Sequence, residues 1–412
     1  MKRTASILLA LLMILTLGCK KEEPINELAN RQLMYEMDKW YLWYDKMPDV
    51  NPENYHSPVD LLDALIYKEL DKWSYITTKQ ELEAYYNQAQ YVGYGIGMAF
   101  DTNNQLWITF IFDESPLREF GVDRGWRIEA INNTNVSPSN VTSLLAPNNA
   151  TFRLINHKIE EKIVSATKET VKMNTVLMDS VYTIDSKNIG YFVLKGFVGP
   201  TVEELNITFT KFTEQNVNEV IVDLRYNGGG SINTASHLAN LLAGSIANGE
   251  ILGTFAHNNK QSHENSSIYI EIETNSLFLD RVVFITTRNS ASASELVING
   301  LTPHMDVVLV GDKTYGKPVG MKTFWYNEFD WAFVPICFRF LNANDEGDYY
   351  DGIPADIAAG DGISFPFGDI SEPSLAAAIG LITGQPKTLS ETTFEKLYQP
   401  QQKGLREEIG AW

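Results

Sequence analysis

A chain of 412 residues, 44% hydrophobic and 21% charged, is long enough for two or three domains with real cores and is not a disordered tail. Its formal charge of −19 argues against nucleic acid as a partner, because a polyanion needs a basic surface to bind.

Lys2 and Arg3 precede a mostly apolar run from Ala5 to Leu17 that ends at Gly18-Cys19. The run is shorter than the about 20 residues a membrane span takes. It has the charged and apolar regions of an export signal. A small residue followed by Cys resembles the site where bacterial lipoproteins are cleaved and acylated, with Thr16 standing where an apolar residue is usual. That resemblance implies a signal over 1–19 and lipidation of Cys19. It also implies a location in the cell envelope, anchored to the outer membrane on its periplasmic or cell-surface side, with the lipid as the sole membrane contact. Residues 20–27 read as a polar linker. Cys337 lies in an apolar run and reads as a buried filler.

Leu33, Met37, Trp40, Tyr41 and Tyr44 fall at helical spacing and predict a helix over 28–44, ended by Pro48. Ser57-Pro58 is a cap and first-turn pair for a second helix through Leu61, Leu62, Leu65 and Ile66. A third is expected near 81–87, giving a helical N-terminal domain over 28–88. From 89 to 165 the texture changes to short strands and turns. Gly93-Tyr94-Gly95-Ile96-Gly97-Met98 and the stretch Glu114 to Asn132 resemble a PDZ module. In such a module Gly95, Ile96, Gly97 and Met98 would offer amides to a peptide's terminal carboxylate while the peptide adds as a strand. Trp126 stands where that family often carries Asp, at a position that does not touch the peptide.

Strands and helices then alternate. Asn188 to Phe197 and Glu219 to Leu224 read as strands, and a helix with Ile232, Ala235, Leu238, Ala239 and Leu242 on one face follows the loop Arg225 to Gly230. Gly244 is expected to stop that helix. Arg281 to Thr286 is a strand that leads to Ser290 to Glu295, a helix follows to about Leu301, and Val307 to Val310 is a strand that leads to Tyr315-Gly316-Lys317-Pro318. Strand, helix and strand make a crossover unit, so this part is α/β. Functional groups belong where loops leave the carboxyl ends of its strands.

Ser292 follows a buried strand and opens a helix, which exposes its hydroxyl beside backbone amides and the helix's positive end. A serine needs a base. His304 lies across the intervening helix, roughly 18 Å away at about 1.5 Å per residue. His56 and His157 belong to earlier regions, His257 and His263 to a polar loop, and His237 to the helix after the glycines. Lys317 has the better context: it sits on a turn beyond the strand next to the serine's, among Tyr315, Pro318 and Val319. A lysine acts as base only as the free amine, a form that burial favours. Ser290 and Ser294 read as turn or cap hydroxyls, and Glu295 as a favourable charge at a helix N-terminus. Gly311 to Lys317 fits the first seven positions of a nucleotide-binding P-loop, but Pro318 stands where Ser or Thr must hold the metal. No metal-ligand spacing and no cofactor motif is present in the sequence.

Ser290-Ala291-Ser292-Ala293-Ser294-Glu295, Gly316-Lys317, the loop Asp223 to Gly230 and Gly352-Ile353-Pro354-Ala355-Asp356-Ile357 together resemble the C-terminal processing (tail-specific) serine proteases. The likeness covers about 90 to 380. It implies a multidomain α/β chain with a crotonase/ClpP-like protease core over 175–385, followed by a tail over 386–412. Ser292 would be the nucleophile and Lys317 the base, with oxyanion amides from Ala293 and Gly229. The enzyme would be a serine endopeptidase acting on proteins or peptides with free C-termini. Many members carry Gln where this chain has Met321, so the implied catalytic group is a dyad. The alternative is a surface lipoprotein that binds peptides through the PDZ module and is catalytically weak or silent.

Overall fold

The computed structural model describes residues 25–385, 399–400 and 402–412. The predicted signal, Cys19 and most of the linker lie outside the described residues, as does much of the predicted tail.

The structure is built on a six-stranded sheet in the order Val176–Ile184, Lys187–Leu194, Glu219–Asp223, Arg281–Thr286, Asp306–Gly311 and Ile357–Ala358. The first pair is antiparallel and every later pairing is parallel. Parallel strands are covered on both faces, which is why these stretches are almost continuously apolar. Val220, Val222 and Phe284 pack on one face under the helices Thr201–Glu214, Ile232–Ala247 and Ala293–Leu301. Ile221, Val283 and Ile285 pack on the other under Pro373–Thr383. The loops bearing the glycines, Ser292 and Lys317 therefore leave the carboxyl ends of three adjacent strands.

A second sheet, Ile96–Phe100 to Glu161–Thr167, has its own core of Met98, Ile108, Ile128, Phe152 and Leu154. Arg124, 2% exposed, fastens this β-rich module to the larger sheet. Its guanidinium reaches Asp361 Oδ1 at 2.8 Å and the Tyr226 hydroxyl at 2.7 Å, and Arg225 meets Asp223, Asp361 and Glu372 in the same buried network. Burial opposes the Asp361 charge, yet Arg225 and Arg124 hold its carboxyl below the ordinary value. Removing one member of such a cluster strands a buried charge, which makes the module's seat a rigid one.

Two expectations are corrected. The first helix is Ile25–Trp40, and Tyr41 turns inward to bond Asp71 at 2.8 Å. The helices of 28–88 share their core with later residues, Ala29, Leu33, Met37 and Leu61 packing with Val319, Phe333 and Ile336, and Tyr75–Thr78 pairs with Trp331–Val334. Gly244 does not end its helix, which runs through Ile232–Ala247. A Cβ there would come within 2.6 Å of the Glu271 carbonyl, so the glycine serves a close crossing.

Candidate active site

The strand Arg281–Thr286 runs into a turn stitched to the loop after Asp223. Ser290 Oγ donates to the Leu224 carbonyl at 2.7 Å, Ser294 Oγ to the Asn227 carbonyl at 3.1 Å, and the Ala291 amide to the same carbonyl at 3.0 Å. The two serines read as local caps are thus ties between loops. Between them, Ser292 takes φ 56° and ψ −112°. A non-glycine residue held there costs about 1–3 kcal/mol and persists only where its surroundings impose it. Ala291 and Ala293 are buried, and Ser292 keeps partial exposure at the start of the helix.

Gly229, at φ +108°, lies against this serine, and a Cβ on it would meet Ser292 Cβ at 2.8 Å. Its amide does not point into a free oxyanion site, because it donates to Asn227 Oδ1 at 2.9 Å. That corrects one of the two expected donors. The Asn side chain preceding the glycines caps the very amide a substrate oxygen was expected to use. Ala293, the other, begins the helix beside Ser292.

Glu295 joins the two halves of the site. Its Oε2 accepts from the Ser292 amide at 2.9 Å and from the Lys317 amide at 2.8 Å. Its Oε1 accepts from the Gly316 amide and from Thr314 Oγ1, both at 2.6 Å. Burial pushes the carboxyl above its ordinary value, and these hydrogen bonds offset that only in part. The sequence signal was present, since Glu three residues after a Ser cap is half of a capping box. The second half of its role, the loop at 314–317, is long-range and left no local trace.

Lys317 is 6% exposed. Its Nζ lies 3.9 Å from Met321 Sδ and 3.8 Å from Glu408 Oε1. It lines a cavity of about 70 Å³, and Ser292 lines a neighbouring one of about 350 Å³; Gly228 and Glu408 line both. No histidine lines either cavity. His304 Nε2 is bonded to the Ile251 carbonyl at 2.8 Å, and His237 lies between Glu273 and Asn206.

Sequence reasoning missed Lys195. It is 5% exposed, at the carboxyl end of a central strand, and lines the same cavity as Lys317. A lysine closing an apolar run that feeds the sheet's functional end was the available signal. Burial pushes its ammonium down to about 7. The folded chain therefore binds fewer protons than the unfolded one between about pH 7 and the ordinary 10.5, so stability rises with pH across that window and is lost as pH falls to 7. Lys195→Met should flatten the pH dependence of unfolding free energy between pH 7 and 9 by up to about 1.4 kcal/mol per pH unit. Equal slopes in denaturant titrations of the two chains would place the Lys195 charge in solvent.

In the β-rich module, the loop read as a carboxylate nest holds residue 412. The Tyr94 amide donates to the Trp412 carbonyl group at 2.6 Å, and the Trp412 amide to the Ile96 carbonyl at 2.9 Å. Gly95 turns the chain at φ +73°, with Ser115 2.6 Å from where a Cβ would stand. Of the four residues expected to present amides, only Ile96 faces Trp412, at 3.5 Å. Gly97 and Met98 already belong to the sheet, opposite Phe110 and Ile108, and the stronger donor is Tyr94.

A hydroxyl held at a strained helix start, with a lysine amide fixed to the same carboxylate, suits acyl transfer at a carbonyl, the work of a serine peptidase. Residues 188–358 match peptidase family S41 and residues 29–75 match the peptidase S41 N-terminal domain, so the chain belongs to the S41 peptidases. A probable CtpA-like serine protease of Staphylococcus haemolyticus is 24% identical over 275 residues, 64% of this chain and 52% of that protein. The chain thus spans about half the length of that relative. A carboxyl-terminal-processing protease of Synechocystis is 26% identical over 312 residues, 70% of this chain and 68% of that one. Among solved structures, a putative S41 protease from Bacteroides fragilis superposes with TM-score 0.72 at 23% identity, over 86% of this chain and 98% of that one. The photosystem II D1 C-terminal processing protease follows with TM-score 0.51 at 18% identity, over 81% and 92%. These two likenesses establish the fold.

Proposed function

We propose that the chain is a serine endopeptidase of the carboxyl-terminal-processing kind, cutting peptide bonds in proteins held by their C-terminal ends. Ser292 is the nucleophile and Lys317 the base. The observation that carries this reading is the single Glu295 oxygen bonded to both the Ser292 and the Lys317 amides, which fixes the two backbones together. In the reaction the lysine's free amine takes the Ser292 proton as Oγ attacks the substrate carbonyl. The oxyanion forms against the Ala293 amide and the helix's positive end. The lysine then gives its proton to the leaving amine, and water releases the acyl group from Ser292 by the same steps.

The β-rich module supplies the hold on substrate, as a PDZ-like unit that adds a peptide strand along Tyr94 to Ile96. A lipid at Cys19 and an envelope location belong to the same proposal and rest on the sequence around Gly18-Cys19. The second reading, a silent binder, is favoured by Met321, whose thioether stands 3.9 Å from Lys317 Nζ and gives it no acceptor comparable to an amide oxygen. Incubation with a reduced, unfolded protein separates the two. Wild type should yield discrete fragments by mass spectrometry and Ser292→Ala none. An intact substrate with wild type across pH 6 to 9 leaves the binder.

A further inference from the structure

The segment Gly404–Trp412 lies across both cavities of the site. Its helix, Leu405–Ile409, places Glu408 beside the catalytic pair. Glu408 Oε2 accepts from the Tyr86 hydroxyl at 2.6 Å, Oε1 stands 3.8 Å from Lys317 Nζ, and the Glu408 carbonyl accepts from the Tyr85 hydroxyl at 3.2 Å. The same carbonyl lies 3.1 Å from where a Cβ on Gly228 would stand, so the segment's backbone rests on the glycine loop next to Ser292. Glu407 Oε1 accepts from the Tyr315 hydroxyl at 2.8 Å, and Arg406 Nη1 donates to the Val92 carbonyl at 3.1 Å. Leu405, Ile409 and Ala411 are buried among Tyr75, Tyr85, Tyr91 and Val334. Trp412 then takes the edge at Tyr94 and Ile96, its ring against the core of the β-rich module.

Three needs of a working site are blocked at once. The Glu408 carboxylate stands 3.8 Å from Lys317 Nζ and so engages the group that would take the serine's proton. The loop beside Ser292 is covered at Gly228 by the Glu408 carbonyl. The strand-addition edge is filled. The stretch over the site is moreover helical, closed on bonds such as Gly410 amide to Arg406 carbonyl at 3.0 Å, so it does not offer itself as an extended substrate.

We propose that Gly404–Trp412 is an autoinhibitory segment. It is displaced when another polypeptide, extended and bearing a large apolar side chain where Trp412 now packs, takes the Tyr94–Ile96 edge and so draws Glu408 away from Lys317. The proposal rests on the Ser292–Lys317 reading above. It makes the peptide edge an on-switch as well as a hold on substrate.

This chain and its Glu408→Gln variant test it, because the variant keeps the helix and its buried neighbours and removes only the charge. Glu408→Gln should cleave an unfolded protein at least tenfold faster than wild type. A short synthetic peptide ending in Gly-Ala-Trp with a free carboxylate should speed wild type and leave the variant's rate nearly unchanged. The same peptide should open Arg406 to trypsin in wild type. Equal rates for wild type and Glu408→Gln, both lost with Ser292→Ala, would overturn the autoinhibition and leave the peptidase standing. If neither chain cleaves, the peptidase reading falls, and trypsin decides what remains. Cutting at Arg406 only with peptide keeps the segment as the edge's displaceable occupant, and cutting indifferent to peptide overturns that too.

Discussion

Glu295→Ala is expected to unfold at markedly lower denaturant than wild type, with a loss of several kcal/mol. Four donors converge on this carboxylate: the Ser292, Gly316 and Lys317 amides and Thr314 Oγ1. Each buried donor left without an acceptor costs about 1–3 kcal/mol. The four share one site, so their costs are not additive and the loss should fall below their sum. Against a total stability of about 5–15 kcal/mol that is a large fraction. Glu295→Gln keeps the volume but turns an amide N–H₂ toward donors, since a carboxylate is acceptor-only and a carboxamide is not. It should fall between wild type and Glu295→Ala in stability, and both variants should lose activity because Ser292 and Lys317 are no longer held to one atom. A Glu295→Ala midpoint within about 0.5 kcal/mol of wild type would mean that solvent replaces the carboxylate without cost.

The core sheet was legible because parallel strands buried on both faces must be apolar throughout, as Val220 to Val222 and Val282 to Ile285 are. The placement of Ser292 and Lys317 at the sheet's carboxyl ends was legible because a loop leaves such a strand before each of them. What the sequence hid is long-range. Glu295 carries its cap signal locally, but its bonds to 314–317 arise only when two crossovers close. Gly244 looks like a helix stop until the Glu271 carbonyl arrives beneath it. The predicted tail over 386–412 gave no sign that its last residues return to the site, because Leu405, Ile409 and Ala411 find their partners more than 300 residues earlier, at Tyr75 to Tyr91. Gly97 was misassigned for a related reason. Its missing side chain admits the Phe110 ring, 2.1 Å from where a Cβ would stand, and has no part in holding a carboxylate.

Lys317→Ala is expected to slow peptide cleavage by about a thousandfold, the usual worth of a positioned general base. The fold should survive, since Glu408 can re-hydrate toward the cavity that the lysine vacates. Met321→Gln acts in the opposite direction, by offering an amide oxygen where a thioether now stands 3.9 Å from Nζ. It should raise the rate if an unoriented amine limits catalysis. His304→Ala should change little, because that imidazole is bound to the Ile251 carbonyl and lines neither cavity. A chain whose activity survives Lys317→Ala and dies with one histidine would have another base.

The most direct measurement is labelling by a serine-directed fluorophosphonate, followed by mass spectrometry of the modified peptide. The account predicts a single adduct on Ser292, formed faster in Glu408→Gln than in wild type and nearly absent in Lys317→Ala. Absence of label from both wild type and Glu408→Gln while they remain folded, or an adduct on a serine other than Ser292, would contradict it.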